Sequence, residues 1–283
     1  MTRTIARLVQ AAPMAEGAGV TVHRTIGTPS LRHLDPFLML DHFGSDNPNE
    51  YIAGFPDHPH RGFITLTYML DGSMQHRDSM GNQGDLQAGG IQWMKAASGV
   101  IHSEMPQQSE GLMRGFQLWI NLPATEKMSD PAYQEFSAAA IPTVASAGSE
   151  VRVISGTYGE VSGPIDDPNT GVRYIDVTLA AGAEFRHSID PGMAGFIYAY
   201  EGSGSIAGEN LPTHALATLS DGDELTVSAE TALRFILVAG RPIHEPIVQY
   251  GPFVMTSREE IEQAFLDYRD GTLVRKRAAW ISD

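Results

Sequence analysis

Two short clusters carry the chemistry legible in this sequence, His58-Pro59-His60 and His102-Ser103-Glu104. Each is a ligand-x-ligand pair. Residues two apart on a β-strand point to the same face, so each cluster can aim two metal-binding side chains at one point. Three imidazoles and a carboxylate make a His3Glu set. That set suits iron, copper, nickel, manganese or zinc and can leave coordination positions open for substrate. Pro59 has no backbone donor and favours a strand edge or strand start, which fits ligands near a barrel mouth. If the two strands are neighbours, the four residues form one mononuclear centre.

Other chemistries fare worse. Ser103 points away from His102 and Glu104, so a Ser-His-carboxylate triad is not supported. Gly202-Ser203-Gly204 lacks the Lys-Ser/Thr of a phosphate loop. There is no cysteine, which excludes thiolate ligands, disulfides and a cysteine nucleophile. His76 precedes a loop and is expected to bond there. His42 is expected to make a local hydrogen bond or to support the site from behind. His187 stands without a ligand partner, because position 189 is Ile189.

The elements that must position these residues are strands. Short β-prone runs recur, separated by Gly, Pro, Asn and Asp. Ile64–Leu70 is followed by the turn Asp71-Gly72, then by Ser73–His76, Ile91–Met94 and Gly115–Asn121. After a small-residue, proline-interrupted stretch, the same texture returns at Val151–Ile154, Tyr174–Leu179, Gly195–Tyr200 and Ala232–Val238. Many short strands at this spacing predict jelly-roll or sandwich folds. The two halves read as weak repeats: Tyr68-Met69-Leu70-Asp71-Gly72-Ser73 is matched by Tyr198-Ala199-Tyr200-Glu201-Gly202-Ser203, as duplication of a β domain would leave them. The change of texture predicts a boundary near 137–150. Residues 1–137 would then form an N-terminal metal-binding domain, and residues 150–283 a second domain that includes a C-terminal helix. Ser257 and Glu260 predict a capping box for that helix. Ile261, Ala264, Phe265 and Tyr268 form its apolar stripe, and Gly271 stands at its stop.

Composition bounds the rest. At 283 residues the chain has room for two domains. It has no run of about 20 apolar residues, so no membrane span is expected, and its N-terminus does not read as a secretory leader. With no cysteine, a reducing cytoplasm is the expected location. The net charge of -15 opposes direct nucleic-acid binding; Arg275-Lys276-Arg277 is too short a basic run to reverse that. A monomer is expected.

The segments Phe37–Gly44, His58–Phe63, His76–Asn82, Gln92-Trp93-Met94, Gly99–Glu104 and Gln249–Met255 together resemble the pirin family of the cupin superfamily. The similarity covers almost the whole chain. The resemblance implies an all-β bicupin, two double-stranded β-helix domains in one chain with a short C-terminal helix. It implies one Fe(II) per chain, held in the N-terminal domain by His58, His60, His102 and Glu104; other divalent transition metals suit the same ligands. Pirins commonly carry a Glu at position 64 that is not a ligand. Here Ile64 is a departure expected to change the surroundings of the site, and it strengthens Glu104 as the fourth ligand. The second half is expected to have lost its site. Some family members resemble quercetinases, which open the central ring of a flavonol with O2 and release carbon monoxide. On that reading Glu104 also serves as the catalytic base, and the partners are a flavonol or related aromatic molecule and O2. The alternative is an iron-dependent, redox-sensing regulatory protein acting through contacts with transcription factors or metabolic enzymes.

Overall fold

Burial along the strands follows the two-residue period that sequence parity predicts. In the strand Val100–Pro106, Val100, His102 and Glu104 are buried and their neighbours are half-buried. In Ser73–Asp78, Met74, His76 and Asp78 are the buried set. The computed structural model describes residues 1–275; Lys276 and Arg277 of the basic run lie outside the described residues. The strands of the described chain pair antiparallel and make up about half of it, with one α-helix at Arg258–Arg269. It divides into two compact units.

The unit that holds both ligand clusters is built on two large sheets, with a two-stranded ribbon at Val248–Tyr250 and Phe253–Met255. Seven strands run in the order Ala132–Phe136, Ile91–Lys95, Phe63–Asp71, Met113–Asn121, Phe37–Ser45, Val20–Arg24, Ala12–Glu16. Four run in the order Phe55–His60, Val100–Pro106, Ser73–Asp78, Gln83–Gln87. Val22, Phe43 and Met69 of the larger sheet pack with Met74 and Leu86 of the smaller one in a single apolar cluster. The sandwich is closed by that burial rather than by its hydrogen bonds. Phe55–His60 is an edge strand, the place a Pro59 without an N–H can occupy.

The second unit repeats the plan. Its smaller sheet runs Glu184–Ser188, Glu224–Ala229, Gly204–Ile206, Glu209–Leu211. Val153, Ile175, Val177, Phe185, Ile206, Val227 and Phe235 share its core. Both units are double-stranded β-helices, and the repeated acidic-Gly turns fall at the ends of equivalent strands, Phe63–Asp71 and Ala194–Glu201.

The division of the chain differs from the one expected from texture. One unit comprises Met1–Ala12, Thr25–Pro36 and Ala139–Pro242; the other comprises Pro13–Arg24, Phe37–Ala138 and the segment from Ile243. The N-terminal strand Ile5–Gln10 pairs with Ala215–Leu219. The C-terminal helix belongs with the first ligand-bearing half, because Ile261 and Ala264 pack with Phe253, Met255, Leu273 and Ile101. A boundary drawn at one point of the sequence cannot capture two termini that each join the other half. The capping box forms as the sequence predicts: Ser257 Oγ accepts from the Glu260 N–H, and Glu260 Oε2 accepts from the Ser257 N–H. The apolar stripe is only half used, since Phe265 and Tyr268 remain exposed.

Candidate metal centre

One strand pairing brings together three of the four expected ligands, His58, His60 and His102; Glu104 lies outside that group. Val100–Pro106 lies beside Phe55–His60 with His102 opposite His58 and Val100 opposite His60. The nitrogens that His58, His60 and His102 can offer all lie within 4.8 Å of one another. His60 and His102 are buried, and His58 is half-buried at the mouth.

The other ring nitrogens decide which atom each histidine presents. His58 Nδ1 is 2.8 Å from the Pro56 carbonyl oxygen and His60 Nδ1 is 3.4 Å from that of Pro252. A carbonyl only accepts, so both rings carry their proton on Nδ1 and leave Nε2 bare. His102 Nε2 is fully buried with no hydrogen-bond partner among the described residues. An orphaned buried acceptor is costly in a dry cavity, and a cation shared by it and the bare Nε2 atoms of His58 and His60 would relieve that cost. Burial holds His60 and His102 well below the usual imidazole pKa, and the neighbouring imidazoles lower them further. Neutral rings are the metal-binding form. The residues fit a divalent transition metal.

Glu104 is two positions from His102 on the same strand face and is buried. Thr67 Oγ1 donates to its Oε1 at 3.2 Å, and Gln117 Nε2 donates to its Oε2 at 2.8 Å. Trp119 Nε1 donates in turn to Gln117 Oε1 at 3.1 Å, which fixes the amide's orientation. Both carboxylate oxygens therefore keep lone pairs for a cation or a proton.

Around these groups is a cavity of about 690 Å3, within the range of small-molecule sites, roughly 300–1,000 Å3. Met39, Phe55, Pro56, Trp119 and Pro252 give it apolar walls. On one side a polar row crosses the larger sheet: Arg24 opposite Asp41, Asp41 opposite Gln117, Gln117 opposite Thr67. Arg24 grips Asp41 with two bonds of 2.7 and 2.6 Å and reaches Glu16 at 2.7 Å. Burial pushes the Asp41 carboxyl up, and Arg24 works against that shift.

Comparison with known proteins bears on what the centre belongs to. The Pirin family profile matches residues 19–120, and the profile of the pirin C-terminal cupin domain matches residues 174–274. A Pseudomonas aeruginosa protein provisionally named a quercetin 2,3-dioxygenase is 49% identical over 279 residues, covering 96% of this chain and 98% of its own length. The chain belongs to the pirin family. A crystal structure of a quercetin 2,3-dioxygenase from Acinetobacter baumannii superposes on this pirin with a TM-score of 0.90 at 32% identity, covering 96% of this chain and 99% of that one. An Escherichia coli pirin, crystallised in complex with nickel(II), shares the fold at a TM-score of 0.66 and 20% identity, covering 83% of this chain and 98% of its own.

Other residues singled out in the sequence lie elsewhere in this pirin. Ile64 is buried on the face of Phe63–Asp71 opposite Thr65 and Thr67, so by parity its side chain turns away from Glu104. The expected change to the site's surroundings does not arise there. His42 shares the sheet face opposite to Asp41 and stacks on Phe116 at 4.7 Å, behind the site. His187 stands opposite Leu225 and stacks on Tyr158 at 5.4 Å; among the described residues it joins no group of three metal-ligand types. The sequence reading missed Gln117, Thr67, Trp119 and the Arg24–Asp41 pair. None is a ligand type in a short motif, and only the strand register lines them up. The bond expected for His76 forms, to Asp78 where the following loop begins, and His76 itself lies on Ser73–Asp78, directly opposite Glu104, with Asp78 opposite His102.

Proposed function

We propose that this pirin is a metal-dependent dioxygenase of the quercetinase type. It would hold one Fe(II) on His58, His60, His102 and Glu104 and open the central ring of a flavonol with O2, releasing CO. The observation that carries this reading is the set of three imidazole nitrogens, one of them orphaned, converging beside a buried carboxylate in an apolar-walled cavity. The 49% identical relative and the Acinetobacter baumannii structure, each named for this reaction, support it. A bound ferrous ion supplies Lewis acidity that lowers the pKa of the flavonol 3-hydroxyl, and an electron path between substrate and O2.

The chain supplies the rest. Trp119, Met39, Phe55 and Pro252 exclude water and hold a planar aromatic molecule. Glu104 accepts the 3-hydroxyl proton on a carboxylate oxygen, with Gln117 and Thr67 holding the group in place. The carbon that bears the 3-hydroxyl leaves as CO, and both atoms of O2 stay in the ring-opened product.

The test is quercetin consumption by the Fe(II)-loaded chain in air, with CO measured and His102→Ala as control. Loss of flavonol with CO release, absent in the control, is the expected result. No turnover with confirmed iron occupancy would overturn the enzymatic reading and favour an iron-dependent regulatory protein.

A further inference from the structure

Among the described residues, only His102 of the three histidines is backed by another side chain. His58 and His60 lean on backbone carbonyls, whereas His102 Nδ1 lies 3.4 Å from His76 Nδ1. His76 Nε2 lies 3.2 Å from Asp78 Oδ2. The register explains the line-up: Asp78 is opposite His102 and His76 opposite Glu104 on the adjacent strand, so all four side chains share one face.

We propose that Asp78 and His76 form a positioning relay that sets the ring tautomer of His102 and makes its Nε2 the strongest imidazole donor of the three. The inference rests on the metal reading above. Asp78 Oδ2 only accepts, so His76 carries its proton on Nε2 and presents a bare Nδ1. That bare Nδ1 accepts the hydrogen bond of His102 Nδ1–H, so the His102 proton stays on Nδ1 and its Nε2 presents a lone pair toward His58 and His60. Each end of the relay is fixed. Asp78 Oδ1 accepts the N–H groups of Met80 at 2.8 Å and Asn82 at 3.0 Å, and its Oδ2 also accepts Asn82 Nδ2 at 2.8 Å. The His76 ring lies flat on Tyr133 at 4.6 Å, and the Tyr133 hydroxyl donates to Glu135 while accepting from Gln92. The relay also answers a charge problem. A divalent ion on three neutral imidazoles and one carboxylate leaves a net positive charge in a buried site, and such a charge is costly without a partner. Asp78, its side chain 1% exposed, supplies the missing negative charge through His76. A carboxylate behind a ligating imidazole raises that ligand's basicity and holds its ring.

The experiment is Co2+ titration of the full-length chain, read by its visible ligand-field absorption, in wild type, His76→Leu, His76→Gln and Asp78→Asn. Thermal melting of each metal-free chain runs alongside. The expected result is a loss of Co2+ affinity of about 10–100-fold in His76→Leu. His76→Gln should recover most of it, because its amide can accept from His102 at Oε1 and donate to Asp78 from Nε2. Asp78→Asn, which keeps the shape but not the charge, should fall between, and it carries the test if His76→Leu does not fold. A merely structural His76 would lower the metal-free melting temperature and leave affinity unchanged. Binding by His76→Leu within twofold of wild type overturns the relay, as does His76→Gln binding as weakly as His76→Leu. Failure of the wild type itself to bind Co2+ overturns the metal reading, and the relay with it.

Discussion

Glu104 is held by an amide and a hydroxyl among the described residues, not by a cation. It therefore keeps free lone pairs on both oxygens, and one carboxylate can serve the metal and a proton together. Glu104→Gln separates the two uses. The amide oxygen can still face the metal but cannot take the proton. We expect kcat for quercetin to fall by about 10²–10⁴-fold, while metal content measured on the same sample falls far less. Unchanged kcat would remove the base role. The four proposed ligands were legible because each cluster is two residues of one strand, and parity needs no tertiary knowledge. Asp78 and His76 obey the same parity, in His76-x-Asp78, yet were read as loop chemistry because a turn follows them. Gln117 and Thr67 carried no local signal at all: they meet Glu104 only through strands remote in sequence.

At the scale of elements, the edge strand Phe55–His60 depends on a segment nearly 200 residues later. Arg61 is buried with Nε on the Ser98 carbonyl at 2.7 Å, Nη1 on Asp267 Oδ2 at 2.7 Å and Nη2 toward the Leu273 carbonyl at 3.4 Å. Lys127 Nζ joins the carbonyls of Gly62 and Val254 and the side chain of Asn121. Gly62 has φ +90°, and a Cβ there would lie 1.9 Å from the Val254 carbonyl oxygen. The same segment offers the Pro252 carbonyl to His60. Arg61→Met keeps the apolar stem but removes the donor to Asp267 Oδ2 and those to two carbonyls, while Gln263 still donates to Asp267 Oδ1. Because Asp267 retains some water contact, the cost should sit at the lower end of roughly 3–5 kcal/mol, read by urea unfolding of the metal-free chain. A cost under about 1 kcal/mol would show that the clamp is not structural. The strands and the capped helix could be read locally from period and cap. Which half each terminus joins could not, since Ile5–Gln10 and Ile261 choose their partners by tertiary packing.

Across the whole molecule, histidine burial sets how the fold responds to acid. His60 and His102 sit well below 6.5, and His187 of the other unit is lowered to about 4, in each case first by burial. The unfolded chain takes up these protons near pH 6.5 while the folded chain refuses them. The unfolded state then binds more protons, so stability rises with pH across that window. Their contribution is complete above pH 6.5 and is lost as pH falls toward 4, reaching the end of its range for His187 at about pH 4. The carboxylates act elsewhere. Asp78 and Asp267 are held below the usual 3.8 by their hydrogen bonds, so their loss begins only under about pH 4. Asp41, raised by burial, acts with the opposite sign above 3.8. The three lowered histidines act together over the stretch from pH 6.5 to about 5. The urea midpoint of the metal-free chain should decline steadily across it, and His187→Phe should flatten part of that slope without touching the metal centre. A bound metal uses the same neutral imidazoles, so protons should displace it from the folded chain only well below pH 6.5. A flat profile between pH 6.5 and 5 would mean that these rings are not held neutral by the fold.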